Sequence, residues 1–286
     1  MPHYLIAGIP LDFEHEFDSY LDNNITAYQV DSHFDRDPYK MRICTKDSIS
    51  PPNENPSYRY KRRDIYETET ERTIVAYAPE GFVRQKIWHR RDFKSVEITL
   101  STTLGDKLPE QEYTLAGLFF MGIALKENKL SLHASAIRYN HKAILFSGPS
   151  GTGKTTHTNH WLTLFDAVDI INDDKPLIYQ NDQHFMAAGT PFSGQDSKNS
   201  NVEIPIGAIV FLRQGKTNKV YKPDKSEAAA LMLRNVYRHE ERDLMEKVMS
   251  LMDQVLKNVP VFILEATKDA SSAKYLHTHL KKGGIL

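Results

Sequence analysis

The residues best suited to chemistry form the glycine-rich segment from Gly148 to Thr155, Gly-Pro-Ser-Gly-Thr-Gly-Lys-Thr. This segment matches the phosphate-binding loop pattern G-x-x-x-x-G-K-[ST], the Walker A motif. Its glycines let backbone N–H groups point at phosphate oxygens. Lys154 places a positive charge on the β- and γ-phosphates, and Thr155 offers a hydroxyl to Mg²⁺. The pattern predicts that a nucleoside triphosphate is bound with Mg²⁺ by Gly148, Ser150, Gly151, Thr152, Gly153, Lys154, Thr155 and Thr156.

A pair of adjacent carboxylates is the second feature that could do chemistry. Asp173 and Asp174 follow an apolar segment and lie 19 and 20 residues beyond Lys154. At a strand end, where the backbone bends, both can reach one metal ion and one reacting hydroxyl. Phosphoryl transfer needs a carboxylate near Mg²⁺ and a group that takes the proton of the attacking hydroxyl. Alone, such a pair is equally typical of a polar turn, but its distance from the loop favours the catalytic interpretation.

His133 is a third candidate, ten residues before the apolar strand that leads into the loop. A histidine at this place could stabilise charge on the γ-phosphate or hold an aspartate. A hydrogen-bonded core histidine is the alternative, and the residues by themselves favour it.

The elements around these residues divide the chain into two regions. Residues 1–112 contain short β-prone pieces and turns, which predict a mostly antiparallel β-rich region of unknown role. In residues 113–286, apolar segments typical of strands alternate with segments of helical periodicity, which predicts an α/β (α+β) domain. The strands expected nearest the site are Leu130 to Ile137 and Ala143 to Phe146, joined through a tight turn at Asn140-His141, and Val168 to Ile171. A further strand is expected at Ile25 to Val30.

The bulk composition favours a cytoplasmic protein. The net charge of −1 provides no field that would attract nucleic acid or an anionic membrane. The single cysteine, Cys44, excludes an internal disulfide and suits a reducing compartment. No apolar run approaches the ~20 residues that span a bilayer, and the N-terminal residues do not resemble a signal peptide. We therefore expect neither nucleic acid nor a membrane as a partner.

Together these motifs resemble the catalytic domain of the bacterial HPr serine kinase/phosphorylase family. The resemblance rests on Leu132 to Ala136, Gly148 to Thr155 and Asn172 to Asp174, and covers residues 113–286. It implies a P-loop kinase core of the phosphoenolpyruvate carboxykinase/HPr kinase type. It also implies that Asp174 is the general base toward a serine hydroxyl, that Thr155 and Asp173 lie near Mg²⁺, and that His133 lies near the transferred phosphate. A weaker similarity to a later segment of the family, at Glu203 to Ala208, implies a further metal contact from Glu203. Because that family forms hexamers, the resemblance leaves room for a homo-oligomer.

Departures from the family pattern point to a different phosphate acceptor. Ala134 stands where the family has glycine after the histidine, and Pro205-Ile206 replaces the later Arg-Gly. The segment Gly189 to Gly194 resembles a substrate loop of HPr-kinase-like proteins, a group that includes kinases of peptide precursors. We therefore expect an ATP- and Mg²⁺-dependent kinase acting on a serine of a protein or peptide. The alternatives are a nucleotide-sensing protein without turnover and a carboxykinase-like enzyme.

Overall fold

The chain folds into two compact units, residues Met1–Glu127 and Asn128–Leu286. The structure, a computed structural model, describes residues 1–31, 34–194 and 198–286. Within these described residues it contains 17 β-strands and six α-helices in a mixed α/β arrangement. No α-helix in the described ranges is both long and apolar enough to cross a membrane.

The first unit is an eight-stranded sheet in the order β1-β2-β3-β8-β7-β6-β5-β4. Strand β3 pairs in parallel with β2 and β8, and the other neighbouring pairs are antiparallel. The expectation of a mostly antiparallel β-rich region is confirmed. The strands are β1 (His3–Ile6), β2 (Ile9–Glu14), β3 (Tyr39–Lys46), β4 (Tyr58–Tyr60), β5 (Arg63–Glu67), β6 (Glu71–Tyr77), β7 (Val83–Arg90) and β8 (Ser95–Ser101).

The strand expected at Ile25 to Val30 is wrong. Helix α1 (Asp18–Ile25) ends there and a 3-10 turn, Thr26–Tyr28, follows. Ile25 and Tyr28 are buried, so helical packing overrides the β-propensity of this segment.

Helix α2 (Leu108–Lys126) belongs to the first unit, so the boundary expected after residue 112 lies between Glu127 and Asn128 instead. The helix packs on β3 and β8. Its fully buried Glu112 accepts hydrogen bonds from the backbone N–H groups of Glu16 and Phe17, at the entry to α1. These hydrogen bonds join α2 to the connection between β2 and α1.

The second unit is built on a nine-stranded sheet, which follows the path β12-β10-β11-β15-β14-β13-β9, with β17 beside β15 and β16 beside β17. The strands are β9 (Leu130–Ser131), β10 (Ala134–Tyr139), β11 (Lys142–Ser147), β12 (Val168–Asn172), β13 (Leu177–Gln180), β14 (Phe185–Ala188), β15 (Glu203–Gln214), β16 (Lys219–Tyr221) and β17 (Val261–Ala266). The helices are α3 (Lys154–Leu164), α4 (Lys225–Asn235), α5 (Arg242–Asn258) and α6 (Ser271–Lys282).

Strands β11, β15 and β17 are parallel neighbours, so their carboxyl ends meet at one edge of the sheet. An apolar core that includes Phe146, Trp161 and Leu276 anchors α3 and α6 on these strands. The predicted turn at Asn140-His141 is confirmed, because Tyr139 pairs with Lys142. The strand expected from Leu130 to Ile137 is interrupted, and His133 occupies the break between β9 and β10.

Candidate functional site

The glycine-rich loop, residues Gly148 to Gly153, connects β11 to the first residue of α3. Gly153 is the N-cap of α3 and has φ of 97°, a left-handed conformation that a side chain would strain. The hydroxyl of Thr152 donates to the carbonyl of Pro149 at 2.7 Å and braces the loop internally. The loop therefore holds the N-terminal end of a helix, which favours negative charge, at the carboxyl edge of the sheet.

Lys154 turns its side chain back over this loop. Its Nζ donates to the carbonyls of Gly148 and Pro149 at 2.8 and 3.3 Å. It also lies 3.0 Å from Nε2 of His133. Burial lowers the pKa of Lys154, while the charges of Asp174 and Asp173 oppose that shift. The ammonium group is thus nearly buried and surrounded by groups that accept hydrogen bonds.

His133 joins Lys154 to Asp174. Because Lys154 can only donate, Nε2 of His133 accepts, and the proton of the neutral ring lies on Nδ1. Nδ1 then donates to Oδ1 of Asp174 at 2.7 Å. Lys175 pairs with the other oxygen of the same carboxylate. Burial raises the pKa of Asp174, but the bond from His133 and the charge of Lys175 outweigh it and hold that pKa below its usual value.

Asp173 has a different set of neighbours, which are hydroxyl groups. Ser135, fully buried on β10, donates to one carboxylate oxygen and also contacts the hydroxyl of Thr158 at 2.7 Å. Thr155 at the start of α3 donates to the other oxygen at 3.3 Å. A carboxylate beside a threonine hydroxyl is a hard oxygen pair of the kind Mg²⁺ prefers, with phosphate and water completing its shell. No cluster of three or more His, Cys, Asp or Glu side chains suited to a metal occurs in the described part of the chain, so a protein-only cage is not formed there.

Asn172 shapes the turn that carries both aspartates. Its side-chain oxygen accepts from the backbone N–H groups of Asp174 and Lys175 at 2.9 and 2.6 Å. Its amide donates to the carbonyl of Thr190 at 2.8 Å. Asn172 is fully buried. Asparagine at a strand end is a local signal of such a turn, whereas the contact between Ser135 and Asp173 follows from no local pattern.

These residues surround one cavity of about 560 Å³. The residues that line it are His133, Ser150, Gly151, Gly153, Lys154, Thr155, Thr156, Asp173, Asp174, Ser193 and Gly194. Most of the residues singled out from the sequence therefore lie together. Gly148 contributes a carbonyl to Lys154 from behind the loop, and Thr152 lines a neighbouring cavity instead.

The structure does not bring Glu203 to this cavity. Glu203 is the first residue of β15. Phe211, eight residues later on the same strand, pairs with the last residue of β11, which directly precedes the glycine-rich loop. Its carboxylate accepts a hydrogen bond from the hydroxyl of Tyr179. The metal contact expected of Glu203 stays a prediction, because Glu203 is not among the residues that line this cavity.

The segment Gly189 to Gly194 closes one side of the cavity through Ser193 and Gly194. Gly194 has φ of +84°, and a Cβ at this position would lie 3.8 Å from that of Asp174. Thr190 and Phe192 are buried, so the base of this segment is fixed in the core while its end faces Asp174.

Residues 118–271 match the family described as SynChlorMet cassette protein ScmC. No curated protein matches the chain. The matched range contains His133, the glycine-rich loop and the aspartate pair, and it spans just over half of the 286 residues. The chain therefore belongs to the ScmC family of SynChlorMet cassette proteins.

Proposed function

We propose that this protein is an ATP- and Mg²⁺-dependent kinase that transfers the γ-phosphate to a hydroxyl, a serine of a protein or peptide. The observation that carries the proposal is the common cavity in which Lys154, the Thr155–Asp173 pair and the His133–Asp174 pair meet. This set of groups supports a P-loop kinase core of the HPr kinase type. The single cysteine, Cys44, is compatible with a cytoplasmic location, which forms part of the proposal.

The glycine-rich loop and Lys154 provide for the triphosphate. The free backbone N–H groups at the N-terminal end of α3 stabilise negative charge beside them. Phosphate oxygens would replace the carbonyls of Gly148 and Pro149 as acceptors for Lys154, whose ammonium lies within hydrogen-bond reach of both. This exchange keeps the lysine charged and places that charge beside the phosphates.

Thr155 and Asp173 would hold Mg²⁺, which neutralises charge on the β- and γ-phosphates when it is bound. The two oxygens lie 3.3 Å apart. Ser135 fixes the carboxylate from the side opposite Thr155, so Asp173 is oriented before the metal arrives.

In this proposal Asp174 is the group that accepts the proton of the acceptor hydroxyl. As the hydroxyl oxygen bonds to the γ-phosphorus, the bond from that phosphorus to the β–γ bridging oxygen breaks, and ADP leaves with that bridging oxygen. The lowered pKa keeps Asp174 ionised at neutral pH. Such a carboxylate is a weak base, which suits a loose transition state in which the hydroxyl loses its proton late. His133 holds Asp174 in place and connects it to Lys154.

Transfer of label from γ-labelled ATP tests the proposal, with host-cell lysate and peptide pools as acceptors. Asp174→Asn should lower transfer by about 10²–10⁴-fold, the usual effect of losing a general base, while ATP binding survives. Lys154→Ala should abolish both. Asp169→Asn is the matched control, because Asp169 lies on β12, the strand that precedes Asp174, and pairs with Arg138 outside the cavity.

Each of the other outcomes has a distinct meaning. If the Asp174→Asn variant transferred label at the wild-type rate, Asp174 would not be the general base. Tight ATP binding without a labelled acceptor would favour the nucleotide-sensing alternative. ATP-dependent decarboxylation of oxaloacetate would favour the carboxykinase alternative.

A further inference from the structure

A second cavity of about 270 Å³ lies on the other side of the glycine-rich loop. Gly151, Gly153 and Thr156 line both this cavity and the one that contains the aspartates. The loop is therefore a common wall, and a ligand that crosses it can occupy both spaces.

The walls of the second cavity come from the carboxyl ends of β15 and β17. Leu212 and Ala266 supply apolar surface, and Gln214, Thr267 and Lys268 supply polar groups. The side-chain amide of Gln214 donates to the carbonyl of Gly151 at 3.2 Å, which ties this strand end to the loop. Ligands of open α/β sheets bind outside the carboxyl ends of the strands, and these are the strand ends beside the loop.

Two of the residues that line the second cavity, His157 and Ser272, are almost fully buried and carry no charge. The indole N–H of Trp161 donates to Nε2 of His157, and burial lowers the pKa of His157 to about 3. Because the imidazole of His157 is neutral, it does not attract a further phosphate group. An uncharged heterocycle can lie beside it.

We infer that this second cavity binds the nucleoside part of the triphosphate, with the phosphates crossing the loop into the first cavity. The inference rests on the proposed function, because it places the base and sugar of the same ligand. The volume is slightly below the ~300–1,000 Å³ of pockets for drug-sized ligands, which suits a nucleoside that leaves its phosphates outside. Leu212 and Ala266 contact the flat faces of the base, and the polar groups face its edges and the sugar.

Calorimetry with the full chain tests this placement by comparing ATP with inorganic tripolyphosphate, both with Mg²⁺. The wild-type protein should bind ATP at least about 10-fold more tightly, since tripolyphosphate has no nucleoside. Ala266→Phe fills the second cavity and should lower ATP affinity to that of tripolyphosphate, whose own affinity stays within about twofold. Ala229→Phe, a partly exposed position on α4 outside both cavities, is the matched control.

The failures of the two proposals are distinguishable. Equal wild-type affinities for ATP and tripolyphosphate, or an unchanged ATP affinity in Ala266→Phe, would overturn the nucleoside site and leave phosphate binding intact. A wild-type protein that binds neither ligand would refute the proposed kinase itself.

A second measurement needs no variant. Photolabelling of the wild-type chain with 8-azido-ATP, followed by proteolysis and mass spectrometry, should attach the label within residues 212–214 or 266–272. A label attached only elsewhere in the chain would overturn the inference even if Ala266→Phe fails to fold.

Discussion

Acidification should destabilise the second unit through one buried histidine, His157. The ring is 3% exposed, accepts a hydrogen bond from Trp161 at 3.2 Å and packs edge-on against Phe146. Because the indole can only donate, the neutral ring carries its proton on Nδ1, which faces the hydroxyl of Ser272 at 3.3 Å. Protonation of Nε2 would remove the acceptor for Trp161 and bury a charge in an apolar surrounding.

The size of the effect follows from the two pKa values. Burial, and to a lesser degree the neighbouring His160, lower the pKa of His157 from 6.5 to about 3 in the folded protein. The unfolded chain binds a proton as the pH falls below 6.5, whereas the folded protein does so only near pH 3. The stability contributed by the neutral ring is therefore complete above pH 6.5 and is lost as the pH falls toward 3. Between pH 7 and pH 5 the loss is about 2 kcal/mol.

Urea unfolding at pH 7 and pH 5 measures this loss, with His157→Gln as the comparison. Glutamine retains an acceptor for Trp161 but does not titrate in this range. The fall in unfolding free energy from pH 7 to pH 5 should be about 2 kcal/mol larger in the wild type than in His157→Gln, or roughly 1 M in urea midpoint. Equal falls in the two proteins would refute the assignment of a buried neutral histidine.

Two further changes test a hydrogen bond to Asp173 and the close backbone packing at Gly189. Ser135→Ala removes a buried donor to Asp173 and should raise the Mg²⁺ concentration for half-maximal transfer by about 5–150-fold, the equivalent of ~1–3 kcal/mol. If the maximal rate changed while the Mg²⁺ dependence did not, Ser135 would not act by orienting Asp173 toward Mg²⁺. Gly189→Ala would place a Cβ 1.9 Å from the carbonyl oxygen of Ser200 and 2.9 Å from that of Ile171. Its unfolding free energy should fall by more than ~2 kcal/mol in urea denaturation, and a wild-type value would show that the backbone relaxes there.

The order of strand, loop and helix around Gly148 to Thr155 could be predicted because each part has a local signal. An apolar run, a glycine pattern and a segment without Gly or Pro correspond to β11, the loop and α3. The turn at Asn140-His141 has a local signal for the same reason. These features depend on residues that are close in the chain.

Features that depend on distant contacts could not be predicted in this way. The backbone N–H of His133 bonds to the carbonyl of Asn235, about 100 residues away, which interrupts the strand expected to be continuous. The short similarity to the kinase family at Glu203 to Ala208 does not specify where β15 directs the side chain of Glu203. Likewise, Ser135 acquires its contact with Asp173 only when β10 pairs with β12 beside α3.

The two aspartates acquire different chemical environments although they are adjacent and line the same cavity. In a regular strand they would point to opposite faces. Asn172 prevents this, because its side chain accepts the backbone N–H groups of Asp174 and Lys175 and turns the chain out of β12. After that turn, Asp173 faces hydroxyl groups, which leave its charge available to a cation, whereas Asp174 faces His133 and Lys175, which hold it ionised. The division between a metal-side carboxylate and a hydroxyl-side carboxylate is therefore set by their neighbours, and Asn172 is the residue that gives each aspartate its own set.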